Sequence, residues 1–266
     1  MEPALMVTLL WLLFAATHIG LATRRIRAAL VTRLGELGFA VFFSLIAAAA
    51  YTVAIRYYAA HRFEGAAGLA LGDVTALRWV LMGLIVVGVV LATAGLVFFP
   101  GMPTVRYAHG SRSPRGLERI TRHPFFAGLA LVAVAHALLA TRLVGTAFFA
   151  GLALVTIAGT WHQGTKLLAL HGRAYAEYLA VTSALPFGAV LGGRQRLVWR
   201  ELPVAGLLVG LVLAFVLRAV HASIFSHGGA WVIGVTLGGV AILGIQDWRR
   251  ARRTARAHSD LAPRTV

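Results

Sequence analysis

The chain contains no cysteine, which excludes disulfides, thiolate metal ligands and a cysteine nucleophile. It is also poor in negative charge, with nine Asp and Glu against 25 Lys and Arg. None of the nine acids lies inside a long apolar stretch, so carboxylate pairs for acid–base chemistry are excluded there. Charged residues make up only 13% of the chain, where a soluble domain carries roughly 25%. Such a chain cannot cover a water-facing surface. A phosphate-binding loop, a GxGxxG run, a serine elbow and an HExxH pair are all missing.

What is present is apolar: 59% of the 266 residues are hydrophobic and the mean hydropathy is +0.80. A helix needs about 20 apolar residues to cross the hydrocarbon core. Seven stretches qualify, at Pro3–Leu21, Phe39–Tyr58, Leu77–Phe99, Pro124–Ala140, Val144–Trp161, Leu202–Val220 and Ala230–Ile245. They predict an all-α membrane protein, a bundle of about seven transmembrane helices in one polytopic domain over residues 1–248, followed by a basic tail over 249–266. Met1–Gly20 has an acidic residue and no basic one before its apolar run, so it reads as a retained first span rather than a signal peptide. The fourth and fifth stretches, parted only by Thr141, Arg142 and Leu143, predict a tight helical hairpin.

The basic residues are distributed on one side. Arg24, Arg25, Arg27 and Arg33 follow the first span. Arg106, Arg112, Arg115, Arg119 and Arg122 follow the third, and Lys166, Arg173, Arg194, Arg196 and Arg200 the fifth. The tail adds Arg249, Arg250, Arg252, Arg253, Arg256 and Arg264, while the other side has Arg56, Arg62, Arg78 and Arg142. The positive-inside rule then places the N-terminus outside and the C-terminus in the cytoplasm, as in a multi-pass protein of a bacterial inner membrane. The net charge of +16 is thereby assigned to anionic lipid headgroups in the bilayer rather than to nucleic acid. Gly164 to Ser183 predicts an amphipathic helix on the cytoplasmic surface, stopped before Pro186. Gly206 with Gly210, and Gly234 with Gly238, are spaced for close helix packing within the chain.

Histidines carry the chemistry that remains. His136 lies about 18 Å into the fourth span from its cytoplasmic start, where lipid offers no hydrogen-bond partner. Ala133 and Ala140, one turn to either side, leave room beside the ring. Two readings are open for it: an imidazole bonded to a nearby carbonyl or hydroxyl, or a ligand of a metal or haem. His18, near the cytoplasmic end of the first span, is either an interfacial polar residue or the opposite axial ligand. Arg119, Arg122 and His123 surround the start of the fourth helix at Pro124, with His162 and Lys166 on the same side. That cluster suits an anionic group such as a haem propionate, a lipid phosphate or a nucleotide-like cofactor. It also suits plain topology and headgroup contact.

Three blocks carry a family resemblance: HIGLATRRIRAALVTRLGELGFAVFFSL, ITRHPFFAGLALVAVAHALLA and HGRAYAEYLAVTSALPFGAVLGGRQRL. On these residues the chain resembles the NnrU family, which includes the 15-cis-zeta-carotene isomerases. The resemblance implies a polytopic protein, haem b, and isomerisation of a carbon–carbon double bond in an apolar, membrane-dissolved substrate. His18 and His136 match its two haem-associated histidines, and Ala133 stands where the isomerase branch has a cysteine. The bacterial branch is linked to nitrite and nitric oxide respiration, which also allows a non-enzymatic accessory role beside a respiratory complex. RHPFF and GRAYAEY…TSALPF are in addition similar to membrane methyltransferases, implying S-adenosylmethionine at the cytoplasmic face.

Overall fold

A computed structural model describes residues 2–98 and 113–261. Among the described residues the protein is all helical, with no strand beyond an isolated bridge between Ala67 and Arg142. The helices are α1 (Pro3–Leu21), α2 (Arg24–His61), α3 (Thr75–Phe98), α4 (Pro124–Leu139), α5 (Leu143–Val181), the short α6 (Gly188–Leu191), α7 (Val204–Ala219) and α8 (Ser226–Leu261). Each of the seven apolar stretches thus falls on a helix, apart from end residues such as Ala140, Leu202, Pro203 and Val220. Four helices, α1, α2, α3 and α5, are long and apolar enough to cross a bilayer, while the apolar parts of α4, α7 and α8 are shorter. The end of the third stretch at Phe99, together with Arg106 and Arg112, lies outside the described residues.

Local chemistry sets the helix ends. Pro3 and Pro124 sit at first-turn positions, where the missing N–H costs nothing. The expected hairpin between α4 and α5 is present, with Ala140 already extended. Its turn is zipped to the loop after α2: Gly68 and Ala70 donate backbone bonds to Thr141 and Ala140, and Leu143 donates to Ala66.

Two helices reverse direction at glycines. Gly35 interrupts α2 at φ 70°, ψ 169°. Arg27 then pairs with Glu36 at 2.6 Å and lies over the Phe39 ring, residues whose backbones a straight helix would hold roughly 13 and 18 Å from that of Arg27. Gly172 does the same in α5 at φ 50°, so Tyr175 and Tyr178 fold back onto Leu167. The surface helix expected to start at Gly164 therefore begins after Gly172 instead. The apolar helix runs on past Gly164 because nothing there breaks its backbone bonding. Beyond Trp248, α8 stays helical to Leu261, so most of the basic tail continues the last helix.

Small residues hold the layers together. Gly88 of α3 crosses Gly128 of α4 so closely that a β-carbon on Gly88 would lie 2.7 Å from the Gly128 carbonyl oxygen. Gly95 meets Pro124 and Phe125, and Gly210 of α7 meets Val90 on the other side of α3. Gly210 packs within the chain as its spacing suggested, whereas Gly234 and Gly238 have open space beside them. On α5, Gly151 takes the indole of Trp11 from α1. The resulting order across the bundle is α7, α3, α4, α5, α1, α2, α8. Large apolar side chains point away from it, for example Leu5, Leu9 and Leu12 on α1 and Val204, Leu208, Val212 and Phe215 on α7. Small residues inside and large ones outside is the arrangement of a protein solvated by lipid, and the chain is a membrane protein.

Since α7 and α8 occupy opposite edges, residues 220–229 must cross one end of the bundle. Phe225 of this bridge packs on Tyr58 and Phe148, and Gly229 rests against Ile55.

The glycine crossing makes a direct test. Gly128→Leu should destabilise the protein by about 1–3 kcal/mol or more, through overpacking, seen as a lower midpoint for thermal loss of the monodisperse peak in detergent. Gly238→Ala should leave that midpoint unchanged or raise it slightly.

Candidate functional site

His136 has a defined tautomer. Its Nδ1 lies 2.8 Å from the Val132 carbonyl oxygen. A carbonyl can only accept, so Nδ1 carries the proton and Nε2 keeps its lone pair. Histidine ligands are oriented by this kind of bond. The ring packs against Phe149 of α5 at 4.7 Å and faces His221 at 6.0 Å, with planes 20° apart. Phe149 continues into a wall of Phe148, Tyr58 and Phe225. Ala133 is fully buried, so the room expected on that side is filled by packing. Ala140 has already left the helix and does not flank the ring. The site opens instead toward the aromatic wall and the 220–229 bridge.

His18 occupies a separate place. Its ring stacks on Phe14 at 5.0 Å and meets Phe43 at 4.9 Å, and its Nδ1 is buried without a hydrogen-bond partner. Helices α1 and α5 run parallel, with Val7 beside Val144 and Trp11 on Gly151. His18 lies seven residues past Trp11, while Phe149, the neighbour of His136, lies two residues before Gly151. The two imidazoles are therefore roughly 13 Å apart in depth. Two axial nitrogens on one iron are only about 4 Å apart. The structure does not bring His18 and His136 together. His136 keeps an unspent Nε2 lone pair that could hold a metal, and His18 lies too far from it in depth for the two to share one ion.

The basic cluster at the start of α4 is also divided. Arg119 is committed to the protein itself: Nε and Nη2 donate to the Glu201 carboxylate at 2.8 and 3.1 Å, and Nη1 donates to Gln195 at 2.9 Å. Glu201 accepts from the Gly116 N–H as well, at 2.8 Å. The arginine bonds and this N–H hold the Glu201 carboxyl at about 2, well below the usual range. Arg119 is thus a clamp between two loops. Arg122 and His123 stay at the start of α4 beside the folded-back end of α5. The Arg122 N–H donates to the Ser183 carbonyl at 2.8 Å, Thr121 Oγ1 to Ala184 at 2.8 Å, and the Phe187 N–H to Ile120 at 2.8 Å. His162 has a buried Nε2 without a hydrogen-bond partner and belongs to the α5 side of this end. Among the described residues, no group of three or more His, Asp or Glu is placed to hold a metal ion.

The second and third sequence blocks thus meet in space, through Arg122–Ser183 and Ile120–Phe187. A match to the description "NnrU protein" covers residues 6–228. The chain belongs to the NnrU family. It is 28% identical over 199 residues to the chloroplastic 15-cis-zeta-carotene isomerase of Zea mays, covering 71% of this chain and 51% of that protein. It is 29% identical over 205 residues to the isomerase of the same name from Arabidopsis thaliana, covering 73% and 52%. This NnrU-family chain spans about half the length of those curated relatives. No solved structure matches it.

His221 is the residue that sequence reasoning missed. No motif surrounds it, and it lies 85 residues from its partner. The usable signal was topological, since the outer end of the sixth stretch and the late part of the fourth fall at a common level.

The Glu201 clamp predicts a pH dependence. A carboxyl whose pKa is lowered by folding stabilises the folded state above its unfolded value, near 4.5, and loses that contribution as pH falls toward about 2. Protease resistance of the 115–202 region should therefore weaken over that window. Glu201→Gln should lower resistance at neutral pH and flatten the change; an unaltered profile would show that the clamp contributes nothing.

Proposed function

We propose that this NnrU-family protein is a seven-span protein of a bacterial inner membrane, with its N-terminus outside, that isomerises a double bond in an apolar polyene dissolved in the bilayer. The observation that carries this reading is His136: a half-buried imidazole with its Nε2 lone pair unspent, beside a wall of aromatic rings. Phe149 and Phe225, half-buried at the edge of the Tyr58–Phe148 stack, supply aromatic surface for a flat conjugated chain. The kinship with proteins called 15-cis-zeta-carotene isomerases supports the substrate class. The seven-span count is supported by α4 and α7 packing alongside the longer α3, each through close glycine contacts.

Haem b fits this reading through His136, held on the Nε2 side. When bound, it supplies an electron-rich metal centre at which the order of a carbon–carbon double bond is lowered. The chain's own residues supply the rest. Val132 fixes the tautomer, Phe149 orients the ring, and the surrounding apolar wall keeps water out.

A second reading draws on the meeting of Arg122, His123 and Ser183 with the buried Tyr175 and Tyr178. This is where the methyltransferase-like segments would seat S-adenosylmethionine. Calorimetry decides it: binding that Arg122→Ala weakens supports a methyl donor, and absence of heat removes it.

For the main reading, protein expressed with haem supply should show a Soret band that His136→Ala abolishes. It should convert a cis polyene in vesicles without net oxidation. A colourless protein, or turnover unchanged in His136→Ala, would sink the proposal.

A further inference from the structure

Among the described residues, the arginine-rich end of the bundle holds a lysine that no acid of the protein neutralises. The acids described at this end already have partners. Glu36 takes Arg27, Glu177 takes Arg173, Glu201 takes Arg119, and Glu118 accepts from the Arg115 N–H. Lys166 is half-buried and makes no hydrogen bond or ion pair with a described residue.

Helix periodicity places Lys166 on a particular seam. It follows Phe148 by about five turns, and His162 follows Gly151 by about three. Phe148 and Gly151 are where α5 meets Trp11 of α1, so His162 and Lys166 continue the face that α5 turns toward α1. His18 follows Trp11 by about two turns and continues the opposing face of α1. The field of the Lys166 ammonium reaches the His18 ring, and Lys166 stands close enough to Arg27 of α2 for the two cations to repel. His18 Nδ1 and His162 Nε2 are buried without a hydrogen-bond partner. Aromatic rings flank the seam. His18 stacks on Phe14 and meets Phe43, Phe43 stacks on Phe39, and Arg27 lies over Phe39.

Unpartnered buried nitrogens and like charges held together both cost free energy. One group offsets both costs: an anion with several acceptor oxygens, seated between α1, α2 and α5. A phosphate has the charge and the oxygens. Lys166 is free to donate, each imidazole can present an N–H, and Arg27 keeps donors beyond the one spent on Glu36. Position indicates what carries the phosphate. His18 lies in the last turn of α1, so the seam opens where an apolar span ends, and its rings suit an acyl chain.

We propose that the α1–α2–α5 seam is a phosphate-binding site formed by Lys166, His162, His18 and Arg27, and that it holds the headgroup of an anionic phospholipid. The site is separate from the His136 end and does not depend on the reaction proposed there. It differs from general headgroup contact by exposed arginines, because its cation is half-buried and therefore less screened by salt.

The test uses the full chain in detergent, with dioleoylphosphatidylglycerol, dioleoylphosphatidylcholine and inorganic phosphate as probes. Native mass spectrometry should show phosphatidylglycerol retained in preference to phosphatidylcholine, and the same lipid should raise the thermal midpoint. Lys166→Ala should weaken phosphatidylglycerol binding about ten-fold, as for loss of a charge-assisted hydrogen bond, while Lys166→Arg should keep most of it. Arg173→Ala removes the same charge from an exposed position on α5 and should change binding by less than about two-fold. Equal weakening by Lys166→Ala and Arg173→Ala, or binding abolished by high salt as for a diffuse surface field, overturns the site. Inorganic phosphate that raises the midpoint as much as the lipid, and displaces it, overturns the lipid assignment and makes free phosphate the ligand. Rescue by Lys166→Arg separates a lost ligand from a misfolded chain.

Discussion

Everything in this molecule depends on how closely its helices approach. In a bilayer, lipid tails are as apolar as leucine, so burying leucine against leucine provides little drive for association. Backbone-to-backbone contact provides it instead, and here glycine permits that contact. Gly88 on Gly128 locks α3 to α4, Gly210 locks α7 to α3, and Gly151 locks α5 to α1. These notches fix not only which helices touch but at what depth. The positions of His18 and His136 are consequences of that register, not independent choices.

That register separates the two ends of the bundle into two kinds of chemistry. At one end are the folded-back segments before Gly35 and after Gly172, the Arg119–Glu201 clamp and most of the described arginines. Its polar groups largely satisfy one another, which suits an end that meets headgroups and water. At the other end, α4 ends early and the 220–229 bridge closes over it. There the imidazoles of His136 and His221 face each other beside a cluster of packed aromatic rings. The proposed reaction on an apolar substrate is assigned to this second end.

Much of the fold was legible in the residues. Hydropathy alone placed a helix at each of the seven apolar stretches, four of them long enough to cross a bilayer. The hairpin at Thr141–Leu143 was visible because three residues cannot hold a longer connection. The reversals at Gly35 and Gly172 were not visible. A glycine at positive φ is indistinguishable in sequence from one that packs, and this chain has 29 glycines. Arg119 was read as an anion binder because Glu201, its actual partner, lies 82 residues away and no local spacing links them. The site was half legible. His136 stood out because a histidine so deep in an apolar run is costly without a partner. His221 did not, because a histidine at a helix end costs nothing.

The Trp11 notch has a consequence for motion. If α1 were to slide along α5 so as to bring His18 nearer to His136, Trp11 would have to leave Gly151 and travel one turn toward Ala147. Alanine carries the β-carbon that Gly151 lacks. The indole would meet a methyl group where it now meets a gap. The helix pair therefore works as a ratchet whose pawl is a single tryptophan, and the present tooth is the deepest one within reach. How deep His18 stands relative to His136 is set by one hydrogen atom standing in place of a side chain at residue 151.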